Sequence, residues 1–79
     1  MNWKDHITTD PEVLAGKPVI KGTRISVELI LDRLADGWTQ EDLLKAYPRV
    51  SPEALHAAFA FAAEVMKDEE YIARGKLVA

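Results

Sequence analysis

Cysteine is missing from this chain of 79 residues, and aromatic side chains make up only 8% of it. Disulfides and thiolate zinc sites are therefore excluded as staples for a domain of this size. A chain this short buries little surface, so association with another chain is the remaining common route to stability. No apolar run is long enough to span a bilayer. The N-terminal Met-Asn-Trp-Lys-Asp-His has no apolar signal-peptide core, so the expectation is a cytoplasmic protein with no membrane role. Repeats and low-complexity segments are also lacking. Glycine is scarce, and Gly16 and Gly22 fit neither GxGxxG nor GxxxxGK, which excludes a phosphate loop. His6 and His56 lie far apart, without a nucleophile or metal-ligand partner at a diagnostic spacing. Asp5, His6 and Asp10 fall in an N-terminus expected to be mobile. The reading is a non-enzyme without metal or cofactor. Cations are in the minority, 10 against 13 acids for a net charge of -3, which weighs against a protein that coats DNA.

The cations are unevenly placed. Gly16 to Ser26 carries Lys17, Lys21 and Arg24 and no acid, whereas Thr39 to Glu70 carries three cations and seven acids. The basic segment also reads as structure. Val19-Ile20 and Arg24-Ile25 are predicted as short strands joined at Lys21-Gly22-Thr23, where glycine supplies a positive φ. Ile7-Thr8 is a candidate third strand. Three helices follow, each announced by a hydroxyl cap inside an apolar pair: Ile25-Ser26 with Ile30, Trp38-Thr39 with Leu43, and Val50-Ser51 with Leu55. Pro52 suits the first position of the third helix, and Gly37 suits the residue just past the first. The prediction is one domain over residues 1–79: an N-terminal β-hairpin region (1–25), a three-helix unit (26–69) and a C-terminal tail (70–79). The fold class is mostly α.

Helical spacing sorts the faces. Val27, Ile30, Leu31 and Leu34 form the core stripe of the first helix, with Leu29 on its other side. Leu43, Leu44 and Tyr47 form that of the second. Leu55, Phe59, Ala62 and Met66 form the core face of the third, and Ala54, Ala58, Phe61 and Val65 form an adjoining apolar face. From Ala54 to Met66 only His56 and Glu64 are polar. A helix apolar around most of its girth is normally buried. Either the hairpin covers the second face, or a second copy of the chain does, with Leu29, Phe61 and Val65 as candidate interface residues.

The second and third helices, joined at Pro48-Arg49-Val50-Ser51, have helix-turn-helix proportions, and with the first they make a homeodomain-like bundle. The groove-facing side of the last helix would present Arg49, Glu53, His56, Ala57 and Ala60. Only Arg49 and His56 are useful donors there. The candidate DNA-binding set is Lys17, Lys21, Arg24, Lys45, Arg49 and His56. Architecture supports such a surface and charge opposes it, because phosphate contacts call for cations or free amides.

The string Gly-Lys-Pro-Val-Ile-Lys-Gly-Thr-Arg-Ile at 16–25 leads a set of matching motifs. Leu-x-x-Gly-x-Thr at 34–39, Glu-Asp-Leu-Leu-x-x-Tyr-Pro at 41–48 and the run Ala54 to Ala63 complete it. Together they resemble domain-of-unknown-function family 433, over residues 7 to 68. The resemblance implies a β-hairpin followed by a homeodomain-like helix-turn-helix, and a VapB-type antitoxin that dimerises, binds its operator DNA and blocks a PIN-like nuclease toxin. It also implies a use for the tail. Arg74 or Lys76 would enter the toxin's metal-holding acid cluster, anchored by Tyr71, Ile72, Leu77 and Val78. The alternatives are a stand-alone helix-turn-helix DNA-binding regulator and a dimeric interaction module with no nucleic-acid role.

Overall fold

Three helix starts organise the molecule, a computed structural model that describes residues 2–67. The Ser26 hydroxyl accepts from the Leu29 amide at 2.9 Å and opens α1, Val27–Ala35. Thr39 opens α2, Gln40–Ala46, through a reciprocal box. Its hydroxyl accepts from the Asp42 amide at 3.0 Å, and the Asp42 carboxylate accepts from the Thr39 amide at 2.9 Å. The Ser51 hydroxyl accepts from the Ala54 amide at 3.0 Å and opens α3, Pro52–Met66, with Pro52 in the first turn. The apolar residue four places past each cap is Ile30, Leu43 or Leu55, and each is 1% exposed. The residues that fix each helix entry are thus also the centre of the core.

A mostly helical fold with a short N-terminal β element is what the sequence predicts, and it is what forms. The strand pairing differs in detail. Ile7–Thr8 (β1) pairs antiparallel with Val19–Ile20 (β2), Ile7 opposite Ile20 and Thr8 opposite Val19. Arg24-Ile25 does not form a strand. It returns past β2 through a turn in which the Ile20 amide donates to the Ile25 carbonyl at 2.9 Å, with one bridge between Val19 and Ser26. The helix cap at Ser26 comes too soon after Gly22, whose φ is +80°, for a ladder to grow on that side.

The N-terminus is docked. The 3-10 turn Trp3–Asp5 and β1 both pack on α3. The Trp3 ring meets Phe61 edge-on, centroids 4.8 Å apart, and its Nε1–H donates to the Glu64 carboxylate. Ile7, Ile20, Val27, Ile30, Leu43, Val50, Ala54, Leu55, Ala57 and Ala58 make one buried cluster, with Trp3 and Phe61 packed against it. This settles part of the question posed by the second face of α3. Ala54 and Ala58 are buried, and Phe61 is half-buried beside Trp3.

Candidate functional site

Two surfaces can bind something: the exposed cations, and an apolar groove at the far end of α3. Of the six candidate DNA-binding residues, two are held in ion pairs. The Lys17 ammonium lies 2.7 Å from the Glu28 carboxylate in the first turn of α1, and Lys45 lies 3.3 Å from Glu41 one turn away on α2. The hydrogen bond to Glu28 raises the Lys17 pKa, and the same bond lowers that of Glu28. Both pairs are exposed, so a phosphate could displace either acid at small cost. Lys21, Arg24, Arg49 and His56 are exposed and form no ion pair with another described residue. Lys21 and Arg24 share the turn before α1. Arg49 and His56 share the N-terminal end of α3. No hydrogen bond or ion pair among the described residues links the two sets.

The recognition face needs correction. Ala57 is 0% exposed and belongs to the core, and Ala60 is half-buried. At 100° per residue, the exposed stripe is Glu53, His56, Ala63 and Lys67. Its polar members are one acid, one histidine and one lysine, a thin donor set for a major groove.

The groove arises because α3 outruns its neighbours. Its 15 residues span about 22 Å, against about 14 Å for the 9 residues of α1. Val65 lies on the same side of α3 as the buried Ala54 and Ala58, yet it is 50% exposed, and Met66 is 53% exposed. Across from them Leu31 of α1 is 40% exposed, although its spacing assigns it to the core stripe. Together with Phe61 and Ala62 these residues line a groove of about 490 Å³ whose polar lining residues are Glu28 and Asp32. Of the candidate interface residues, Phe61 and Val65 are in this groove. Leu29 is half-buried and not part of it. Tyr71, Ile72, Arg74 and Lys76 lie outside the described residues. Leu31 and Met66 were missed as surface because periodicity assigns a face without revealing where the covering element ends.

Another depression, of about 560 Å³, sits where α1 turns into α2 and is lined by Asp36, Gly37, Trp38, Asp42, Lys45 and Ala46. Trp38 stacks on Tyr47 with centroids 6.3 Å apart, and the Arg33 guanidinium lies 5.4 Å from the Trp38 ring centre. These contacts close the helix junction rather than open a site. Among the described residues no group of three or more His, Asp or Glu side chains could hold a metal ion, and no helix is long and apolar enough to cross a membrane.

Residues 7–62 match the family described as "Protein of unknown function (DUF433)". An uncharacterized protein, y4eO, from Sinorhizobium fredii is 32% identical over 59 residues, which cover 75% of this chain and 27% of that protein. The chain therefore spans about a quarter of the length of that relative. The crystal structure of a DUF433 member protein from Anabaena variabilis superposes with a TM-score of 0.75 at 29% identity, covering 91% of this chain and 68% of that one.

Proposed function

We propose, from the premise that this chain belongs to the DUF433 family, that it is an antitoxin-like binding protein whose protein partner is a PIN-like nuclease toxin. The observation that carries the reading is the apolar end of the molecule. Leu31, Val65 and Met66 leave an apolar surface uncovered where α3 ends, and an exposed patch of this kind marks an association site on a small domain. The sequence that continues from this end supplies apolar Tyr71, Ile72, Leu77 and Val78, with Arg74 and Lys76 between them. Cations on an apolar segment suit a nuclease that holds its metal with clustered carboxylates, since charge-assisted hydrogen bonds from arginine compete with the metal for those oxygens. The body of the protein provides the platform and the tail makes the inhibitory contact. Deleting residues 71–79 is expected to abolish inhibition of a cognate nuclease while the helical circular dichroism is kept. Unchanged inhibition overturns the reading.

A second reading, binding to operator DNA, is favoured by a separate observation: Lys21, Arg24, Arg49 and His56 are exposed and free of ion pairs with the described residues. DNA bound through these groups is expected to be lost steeply with rising salt, as counterions are released on binding. Lys21→Ala and Arg49→Ala should each weaken binding to the chain's own upstream DNA and reduce the salt slope by about 1. Titrations in which neither variant changes affinity would remove this surface from consideration.

A further inference from the structure

We propose that the groove between α1 and α3 is closed by a second copy of this chain, with Leu14 of each copy seated in the groove of the other. Two unpartnered features lie side by side here. The first is the groove, whose surface is almost wholly apolar and is built on Pro18, Leu31, Phe61, Ala62, Val65 and Met66. The second is Leu14, 39% exposed on the turn that leads into Pro18. Its carbonyl accepts from the Lys17 amide at 3.2 Å, which ties the turn to the Pro18 side of the groove. Among the described residues, Leu14, Leu31, Val65 and Met66 are the large apolar side chains that are exposed. All four lie in this groove or beside it.

Leu14 is held out under strain. Its φ is +48° and that of Ala15 is +57°, so two successive residues with a Cβ sit in the left-handed region before Gly16 at +86°. Such strain persists where a contact makes use of it. Within one copy Leu14 is neither part of the buried cluster nor packed against it. The choice of a second copy follows. A two-fold interface uses one patch twice, so the patch must carry both a projection and the hollow that receives it. Leu14 and the groove are that pair, and both are apolar. Glu28 and Asp32 do not oppose the closure, because both are exposed and Glu28 is already paired with Lys17. As Leu14 reaches the partner's Leu31, Lys17 comes to the partner's Asp32, an acid without an ion pair to another described residue. The patch is small beside the about 800 Å² that each partner gives to a standard interface, which places the dimer in the weak, reversible class.

In the antitoxin reading the tail makes the inhibitory contact, and nuclease inhibition judges it. The dimer goes beyond that reading and is judged by sedimentation of the full-length chain alone, so either can fail without the other. Sedimentation equilibrium is expected to show reversible dimerisation with a Kd on the order of 100 µM. Leu14→Asp and Leu31→Asp should each raise that Kd by about tenfold or more, with helical circular dichroism kept because both side chains are exposed. Ala63→Asp, on the exposed stripe of α3, should leave the Kd as it is. In a mixture of labelled and unlabelled unmodified chains, which needs no variant to fold, the Leu14 methyl groups are expected to show nuclear Overhauser contacts to Leu31, Val65 or Met66 of the other chain. A chain that stays monomeric up to about 1 mM overturns the proposal and leaves the groove to a different partner. A dimer that neither Asp variant weakens overturns it too, and places the interface on another face. A dimer weakened by Leu31→Asp and not by Leu14→Asp would keep the groove but remove Leu14 as its occupant, and would overturn the proposal equally.

Discussion

Gly37 shows how much one residue controls at the junction of α1 and α2. Its φ is +97°, its amide donates to the Leu34 carbonyl, and the Trp38 amide donates to the Arg33 carbonyl, both at 3.0 Å. This paired closure of a helix end demands a left-handed residue just past the cap. A Cβ added at Gly37 would meet nothing within 4 Å, so substitution there tests backbone conformation and not packing. Gly37→Ala is expected to destabilise the fold by about 1 kcal/mol, the left-handed penalty less the entropy that alanine removes from the unfolded chain. In thermal unfolding that is a fall in Tm of roughly 4–8 °C. An unchanged Tm would mean that the junction relaxes freely. Ala57 makes the opposite case. It is 0% exposed and belongs to the core cluster, so Ala57→Leu should overpack the core at a cost of about 1–3 kcal/mol. The same substitution at outward-facing Ala63 should be near neutral. Chemical denaturation of the two variants separates core from surface on a helix where alanine side chains give no polarity signal.

Among the elements, α2 is the shortest of the three α-helices, and its start carries the reciprocal capping box. The hydrogen bonds from the Thr39 amide and hydroxyl region hold the Asp42 carboxyl below the usual carboxylate range. A group whose pKa is depressed by folding adds stability that is complete above its unfolded value and is lost as pH falls through its folded value. Amide exchange protection in α2 is therefore expected to weaken on acidification below about pH 4, and Asp42→Asn should remove that acid dependence. Protection that is equally acid-sensitive in Asp42→Asn would place the titrating group elsewhere. The caps themselves were legible because the information is local: hydroxyl, apolar neighbour and apolar fourth position lie within six residues. Ser51→Ala should cost about 1 kcal/mol for the same reason. The strand pairing was not legible in this way. Ile7 and Ile20 meet because α3 needs cover on the face bearing Ala54 and Ala58, a demand that is read only once the helices are packed.

At the scale of the whole molecule, the two ends of the chain meet α3 differently. The N-terminal end was expected to be mobile, since Asn2 to His6 carries little apolar surface apart from Trp3. That one side chain packs its ring on Phe61 and donates a hydrogen bond to Glu64, and β1 packs on α3 beside it. The overhang of α3 was equally hidden, since Leu31, Val65 and Met66 carry the periodicity of core residues and only the lengths of α1 and α3 expose them. Docking of the N-terminus joins residues about sixty positions apart and should make the domain unfold as one unit. The chain allows a direct measurement, because it holds only two tryptophans, Trp3 and Trp38. In Trp38→Phe, which keeps a ring on Tyr47, the fluorescence reports Trp3 alone. Its red shift in urea should share one midpoint with the loss of helical circular dichroism. A Trp3 transition at clearly lower urea would show that the N-terminus leaves α3 before the helices part, and that the core stands without it. Adding Phe61→Leu to this background should lower both midpoints together, because the aromatic pair contributes about 0.5–1.5 kcal/mol beyond its buried area and couples the N-terminus to the helix it covers.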